Sequence, residues 1–166
     1  MVVGWLAAAL RRRRWRARMR VADAARDTGD YGRAAQLYGA ITRDFPERRA
    51  AWVQLGNMAK DSGDFASAGK AYLHARKLDE SDADVSLQLG HLSKLQGNFV
   101  EAISWYEESV ALNPDGLAAE ELIALGFRRR VQDLRDVGEA AHLLDLPGRA
   151  LLTHQRLAVA FANRRV

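Results

Sequence analysis

The chain has 166 residues, enough for one domain with a sizeable core or for a short stack of repeats. Nearly half of it is apolar, three prolines interrupt it, and no strand-like alternation of useful length occurs, so helices are expected throughout. The absence of cysteine excludes disulfides, thiol catalysis and cysteine metal sites, and the net charge of +4 hides an uneven distribution.

Residues 1–20 carry seven arginines and no acid, leaving 18 basic against 21 acidic residues elsewhere. A basic body would suggest a nucleic-acid groove; here the positive charge is confined to one end, so nucleic acid is not an expected partner. The opening MVVGWLAAAL is apolar but shorter than the roughly 20 residues needed to span a bilayer. Its arginines follow the apolar stretch instead of preceding it, the reverse of a secretory signal. Two readings remain for residues 1–14. In one, residues 2–10 form an added helix packed over the first repeat; in the other, Trp5, Trp15 and the arginines meet an anionic membrane surface.

Beyond this segment the chain matches itself at a shift of 34 residues. Three turns fall into line, Gly29-Asp30-Tyr31, Gly63-Asp64-Phe65 and Gly97-Asn98-Phe99. Each is followed by an alanine (Ala34, Ala68, Ala102) and a tyrosine (Tyr38, Tyr72, Tyr106), and preceded by a small residue (Ala22, Gly56, Gly90). Between turns the apolar residues recur at helical spacing, as in Phe65, Ala68, Tyr72 and Ala75. Each unit therefore reads as a helical hairpin. The glycine supplies the left-handed residue that ends the first helix, and Asp30, Asp64 or Asn98 is placed to cap the second. Pro46 and Pro114 stop the second helix, and Glu80 holds that place in the middle copy.

These columns resemble the tetratricopeptide repeat. The middle copy shows Trp52, Leu55, Gly56, Gly63, Ala68, Tyr72 and Ala75, and the third shows Leu89, Gly90, Gly97, Ala102, Tyr106, Ser109 and Pro114. The first is looser, with Arg18 at the large-residue place. The expected fold is all-α, a right-handed α-solenoid of three repeats at 15–48, 49–82 and 83–116, with an N-terminal helix and C-terminal capping helices. In 117–166 the register is lost, since Val131 stands where a fourth glycine is due. A helix over 117–130 and a degenerate fourth hairpin around Pro147-Gly148 are expected to close the stack.

The resemblance implies that one face of each first helix lines a concave groove. By the helical step, that face carries Arg16, Arg20, Asp23 and Asp27 in the first copy, Ala50, Gln54, Asn57 and Asp61 in the second, and Asp84, Gln88, His91 and Leu95 in the third. Gln54 and Gln88 are equivalent, as are Asn57 and His91, and amides that both donate and accept suit the backbone of an extended peptide. The candidate partner contacts are Arg20, Asp23, Gln54, Asn57, Lys60, Asp61, Gln88, His91 and Lys94; the plain alternative is a solvated polar face. Some family members clamp a C-terminal carboxylate with lysine, asparagine and arginine. Here Met19 and Val53 stand where such a clamp favours polar groups, so that ligand is not expected.

No catalytic residue, metal site or cofactor is expected. The histidines (His74, His91, His142, His154) lack ligand spacing, and the glycines belong to hairpin turns, not to a phosphate loop. The expected function is a protein-interaction scaffold binding a peptide or partner protein. The flavour of WVQLGNMAKDSGD and LQLGHLSKLQGN is also similar to repeat segments preceding bacterial glycosyltransferase domains, implying an accessory module as an alternative. A membrane-surface scaffold working through residues 1–20 is the third reading. Self-association through open ends fits the repeat architecture. Arginine-rich, alanine-rich composition suggests a bacterial source, and the expected location is cytoplasmic, or peripheral at the inner membrane face.

Overall fold

The computed structural model describes residues 2–127 and 130–136, and every regular element among them is helical. Two compact units divide at Leu78 and Asp79. The first contains α1 (Val2–Asp27), α2 (Tyr31–Asp44), α3 (Arg49–Asp61) and α4 (Phe65–Leu78). The second contains α5 (Ala83–Leu95), α6 (Phe99–Leu112), α7 (Leu117–Ala124) and a helical stretch at 130–136.

The 34-residue period sets the helix ends. Gly29, Gly63 and Gly97 adopt φ of 80°, 82° and 79°, a region a side chain disfavours. At Gly97 the glycine N–H reaches the Lys94 carbonyl at 3.0 Å and the Asn98 N–H reaches Ser93 at 2.9 Å, which is the paired bonding of a Schellman stop. Asp30 and Asp64 then cap the next helix, accepting from the Arg33 and Ser67 amides at 3.1 and 3.0 Å. Asn98 makes no such side-chain bond, contrary to expectation. The second helices stop at Asp44, Leu78 and Leu112, two residues before Pro46, Glu80 and Pro114. Since Glu80 ends its helix as well as the prolines do, packing rather than proline sets this stop.

Each repeat closes around its tyrosine. Tyr38, Tyr72 and Tyr106 are all completely buried. A Cβ built on Gly56 would lie 2.5 Å from the Tyr72 ring, and one on Gly90 would lie 2.5 Å from Tyr106. These glycines are required by close approach, not by their dihedrals. In the first unit Ala22, Ala34, Tyr38, Ile41, Phe45 and Met58 are among the residues forming one core, with Trp15 and Met19 against it. In the second, Leu87, Tyr106, Val110, Leu122, Val131 and Leu134 belong to another.

Both chain ends depart from the repeats between them. At the first, α1 is one helix of 26 residues, about 39 Å long, that runs on into the first repeat. Its start is not packed over the first repeat: Trp5, Leu6 and Leu10 are 69%, 54% and 54% exposed. The expected helix over 117–130 ends instead at Ala124. Gly126 takes φ of 92°, and the Gly126 and Phe127 amides bond to Ile123 and Leu122 at 3.0 and 2.9 Å, the same Schellman pattern as at Gly97. A shortened hairpin therefore follows the third repeat, its turn 29 residues after Gly97. Arg130 pairs with Glu107 of α6, whose carboxyl is held above the usual range by burial, and Arg135 donates to the Pro114 carbonyl at 3.1 Å. The hairpin expected around Pro147-Gly148, with His142 and His154, lies outside the described residues.

Candidate functional site

The candidate face repeats one exposure pattern on α3 and α5, and α1 follows it except at Arg20, which is exposed where Gln54 and Gln88 are half-buried. Its outer members, such as Arg16, Asp61 and Leu95, are exposed, while Asp23, Gln54, Asn57, Gln88 and His91 are half-buried. Three of the half-buried members, Asp23, Asn57 and His91, meet the tyrosines beneath. The Tyr38 hydroxyl donates to Asp23 at 2.6 Å, and the Tyr72 hydroxyl donates to Asn57 at 2.7 Å. Burial, before any other cause, raises both hydroxyls well above the ordinary tyrosine range, so they stay protonated as donors. His91 takes the equivalent place in the third repeat, and its ring meets Tyr106 edge-on with centroids 5.7 Å apart. The Tyr106 hydroxyl is buried without a hydrogen-bond partner among the described residues.

In the first unit the structure brings Asp23, Gln54 and a residue not anticipated, Arg26, into one network. Arg26 donates to Gln54 Oε1 at 2.9 Å and to Asp27 at 2.8 Å, and lies 3.7 Å from Asp23. A guanidinium only donates, so it holds the Gln54 carbonyl and leaves the amide nitrogen to other partners. Neither the Gln54 nor the Asn57 amide nitrogen has a protein partner among the described residues. The face thus presents two directed N–H donor groups, one helical turn apart on α3, rather than amides free to donate and accept. Lys60 is half-buried beside them. Arg20 and Asp61 are exposed and form no hydrogen bond or ion pair with the other candidates among the described residues.

In the second unit the organising residue is Glu121 of α7. It bridges two candidates, meeting Lys94 Nζ at 2.7 Å and His91 Nε2 at 3.4 Å. Sequence reasoning missed both Arg26 and Glu121. Arg26 lies off the chosen face and reaches it by side-chain length, and Glu121 follows the point where the period fails. The constant spacing of 15 residues from Asp23, Asn57 and His91 to the three tyrosines was the legible signal for the tyrosine contacts.

A second feature flanks α1. Ala7, Leu10, Arg11, Arg14, Arg18 and Phe45 help line an open cleft of about 1020 Å³. Arg11 pairs with Glu47 at 3.2 Å, Arg18 pairs with Asp44, and both guanidinium groups lie over the Phe45 ring at 5.0 and 5.7 Å. Arg48 covers Trp15 in the same way at 5.0 Å. Arg18 lowers the Asp44 carboxyl from its usual range; that of Glu47 is lowered first by a hydrogen bond from its own backbone and then by Arg11. Among the described residues no three histidine, aspartate or glutamate side chains converge to hold a metal ion, and no helix is long and apolar enough to cross a membrane.

Comparison with known proteins yields a consistent fold. A Thermobaculum terrenum O-GlcNAc transferase variant aligns at a TM-score of 0.61 and 22% identity, over 65% of this chain but only 21% of that one. The first tetratricopeptide domain of Spaghetti (RPAP3), bound to the HSP90 peptide SRMEEVD, aligns at 0.62 and 18% identity, covering 73% and 93% of the two chains. The Yersinia enterocolitica type III secretion chaperone SycD, in complex with a YopD peptide, gives 0.60 and 15% identity over 72% and 91%. At these identities the likeness is one of fold. No curated protein matches the sequence. The tetratricopeptide-repeat profile matches residues 6–47, 20–83 and 53–116, and with the glycine turns and buried tyrosines in the same register, the chain belongs to the tetratricopeptide-repeat family.

Proposed function

We propose that this chain is a protein-interaction module, without chemistry of its own, whose first helices take an extended segment of a partner protein. The observation that carries the reading is the Gln54 amide: Arg26 occupies its carbonyl oxygen at 2.9 Å and leaves its N–H2 group without a protein partner among the described residues. An unpaired donor of this kind suits the carbonyls of an extended backbone, which need no particular side chains to be recognised. Two fold relatives, RPAP3 and SycD, were solved with peptides bound, in keeping with this use. On this reading Arg20, Asp23, Asn57, Lys60 and Asp61 frame the Gln54 contact in the first unit, and Gln88 serves likewise in the second, framed by His91 and Lys94.

The test is a pull-down from the native cell lysate with mass spectrometry, comparing the intact protein with a Gln54→Ala, Gln88→Ala variant. This pair leaves the tyrosine contacts of Asn57 and His91 in place, so helicity and unfolding midpoint should match those of the intact protein. Partners lost in the folded variant support the reading, and partners held equally by both refute it. A second reading, an accessory module of a sugar-transfer enzyme, is favoured by the fold match to the Thermobaculum transferase. It predicts co-purification of a glycosyltransferase with the intact protein.

A further inference from the structure

The first third of α1 poses a question that the peptide reading does not answer. Trp5, Leu6 and Leu10 stand exposed in water at 69%, 54% and 54%. Stepped at about 100° per residue, Leu6 and Leu10 lie roughly 100° and 140° around the helix from Trp5, and Ala7 and Ala8 lie in the rest, so no polar side chain interrupts the turn. A helix that docked on a protein surface would need one apolar stripe. This one is apolar around its circumference, which suits a medium that is apolar on all sides.

Of the seven arginines that follow, six fall into two sets, and Arg14 helps line the cleft beside Phe45. Arg11 and Arg18 are engaged by Glu47, Asp44 and the Phe45 ring, and fix α1 to the end of α2. Arg12, Arg13, Arg16 and Arg20 have no acidic partner among the described residues and are all exposed. By the same helical step these four share a sector about 100° wide, and Trp5 lies within it. The helix is therefore graded along its axis, from an apolar tip over residues 2–10 to a cationic collar. At 1.5 Å per residue the tip is about 13 Å long, close to the roughly 15 Å of hydrocarbon in one leaflet.

From this grading we infer that the N-terminal end of α1 inserts into one leaflet of an anionic membrane, with Arg12 and Arg13 at the phosphate level, Arg16 and Arg20 about 6 and 12 Å further out facing the anionic surface, and Trp5 below them. Firm peripheral attachment takes two signals, and an apolar insertion beside a polybasic patch supplies both. The insertion is peripheral, since no described helix is long and apolar enough to cross. It uses the end of α1 remote from Asp23 and Arg26, so its failure would leave the peptide reading untouched.

The experiment is co-sedimentation of the full chain with vesicles of equimolar phosphatidylcholine and phosphatidylglycerol, beside vesicles of phosphatidylcholine alone. Binding is expected to the anionic vesicles only and to weaken with added salt. An Arg12→Gln, Arg13→Gln, Arg16→Gln, Arg20→Gln variant, folded by circular dichroism, should partition roughly a hundredfold less or weaker still. Brominated acyl chains should quench part of the tryptophan fluorescence of the intact protein, and Trp5→Phe should remove that part. Equal binding to neutral vesicles, no binding to either, or quenching that survives Trp5→Phe would each overturn the inference. So would concentration-dependent dimers in sedimentation velocity that Leu6→Asp abolishes while vesicle binding persists, because the occupant of the tip would then be a second copy.

Discussion

Gly56→Ala separates two views of the small-residue column. Helix propensity alone predicts that alanine in the middle of α3 stabilises by up to about 1 kcal/mol. Packing predicts the reverse. The added methyl would sit 2.5, 2.7 and 3.0 Å from three atoms of the Tyr72 ring, closer than real contacts come. That ring is completely buried, and its hydroxyl is held by Asn57 at 2.7 Å, so neither end is free to swing aside. Overpacking of this kind costs about 1–3 kcal/mol, and loss of the hydroxyl bond adds about 1 kcal/mol. After the propensity gain, a net loss of about 1–3 kcal/mol is expected. Urea denaturation followed by far-ultraviolet circular dichroism measures it against the intact protein. The first repeat carries Ala22 in the same column above a buried Tyr38, so a hairpin can be built around the methyl. An unchanged or raised midpoint for Gly56→Ala would show that the second repeat adjusts in the same way and would refute the packing argument.

The tyrosine hydroxyls give a matched pair of tests. Tyr72→Phe should lose about 1 kcal/mol with the Asn57 bond, whereas Tyr106→Phe should be neutral or slightly stabilising, because its buried hydroxyl has no partner among the described residues. Both are read from denaturation midpoints. Asp64→Ala should lower the midpoint at neutral pH, and Asn98→Ala much less, since only Asp64 caps its helix. The Asp64 carboxyl is lowered by its bonds to the Ser67 side chain and then backbone, so its stabilisation is present at neutral pH and lost as pH falls through its folded value. The gap between Asp64→Ala and the intact protein should therefore close below about pH 4. Arg26→Met frees the Gln54 carbonyl without touching Gln54, and should weaken partner capture while leaving helicity unchanged.

The repeat was legible because turn chemistry and close packing are local. Gly63, Asp64 and Tyr72 carry their reasons in their spacing, and the structure puts each to the use that spacing implies. The face was legible only as a list of positions. That Gln54 presents a donor depends on Arg26, a long side chain arriving from another helix, and no periodicity encodes such reach. Glu121 was hidden because the turn after the third repeat comes at Gly126, early in the period, so α7 is short and its residues could not be assigned by register. The placing of residues 2–10 was left open for a different reason. Apolar residues in water are expected to find cover, and here the helix runs straight on past the end of α2.

The way the helices pair also bears on how the chain acquires its structure. The well-packed pairs are sequence neighbours: α1 with α2, α2 with α3 and α3 with α4 in one unit, α5 with α6 and α6 with α7 in the other. Contacts this local demand little loop closure, so folding should be fast and able to start in either unit. During synthesis, the α1–α2 hairpin with its Tyr38 core can close before the third repeat has been translated, leaving few long stretches of apolar chain awaiting distant partners.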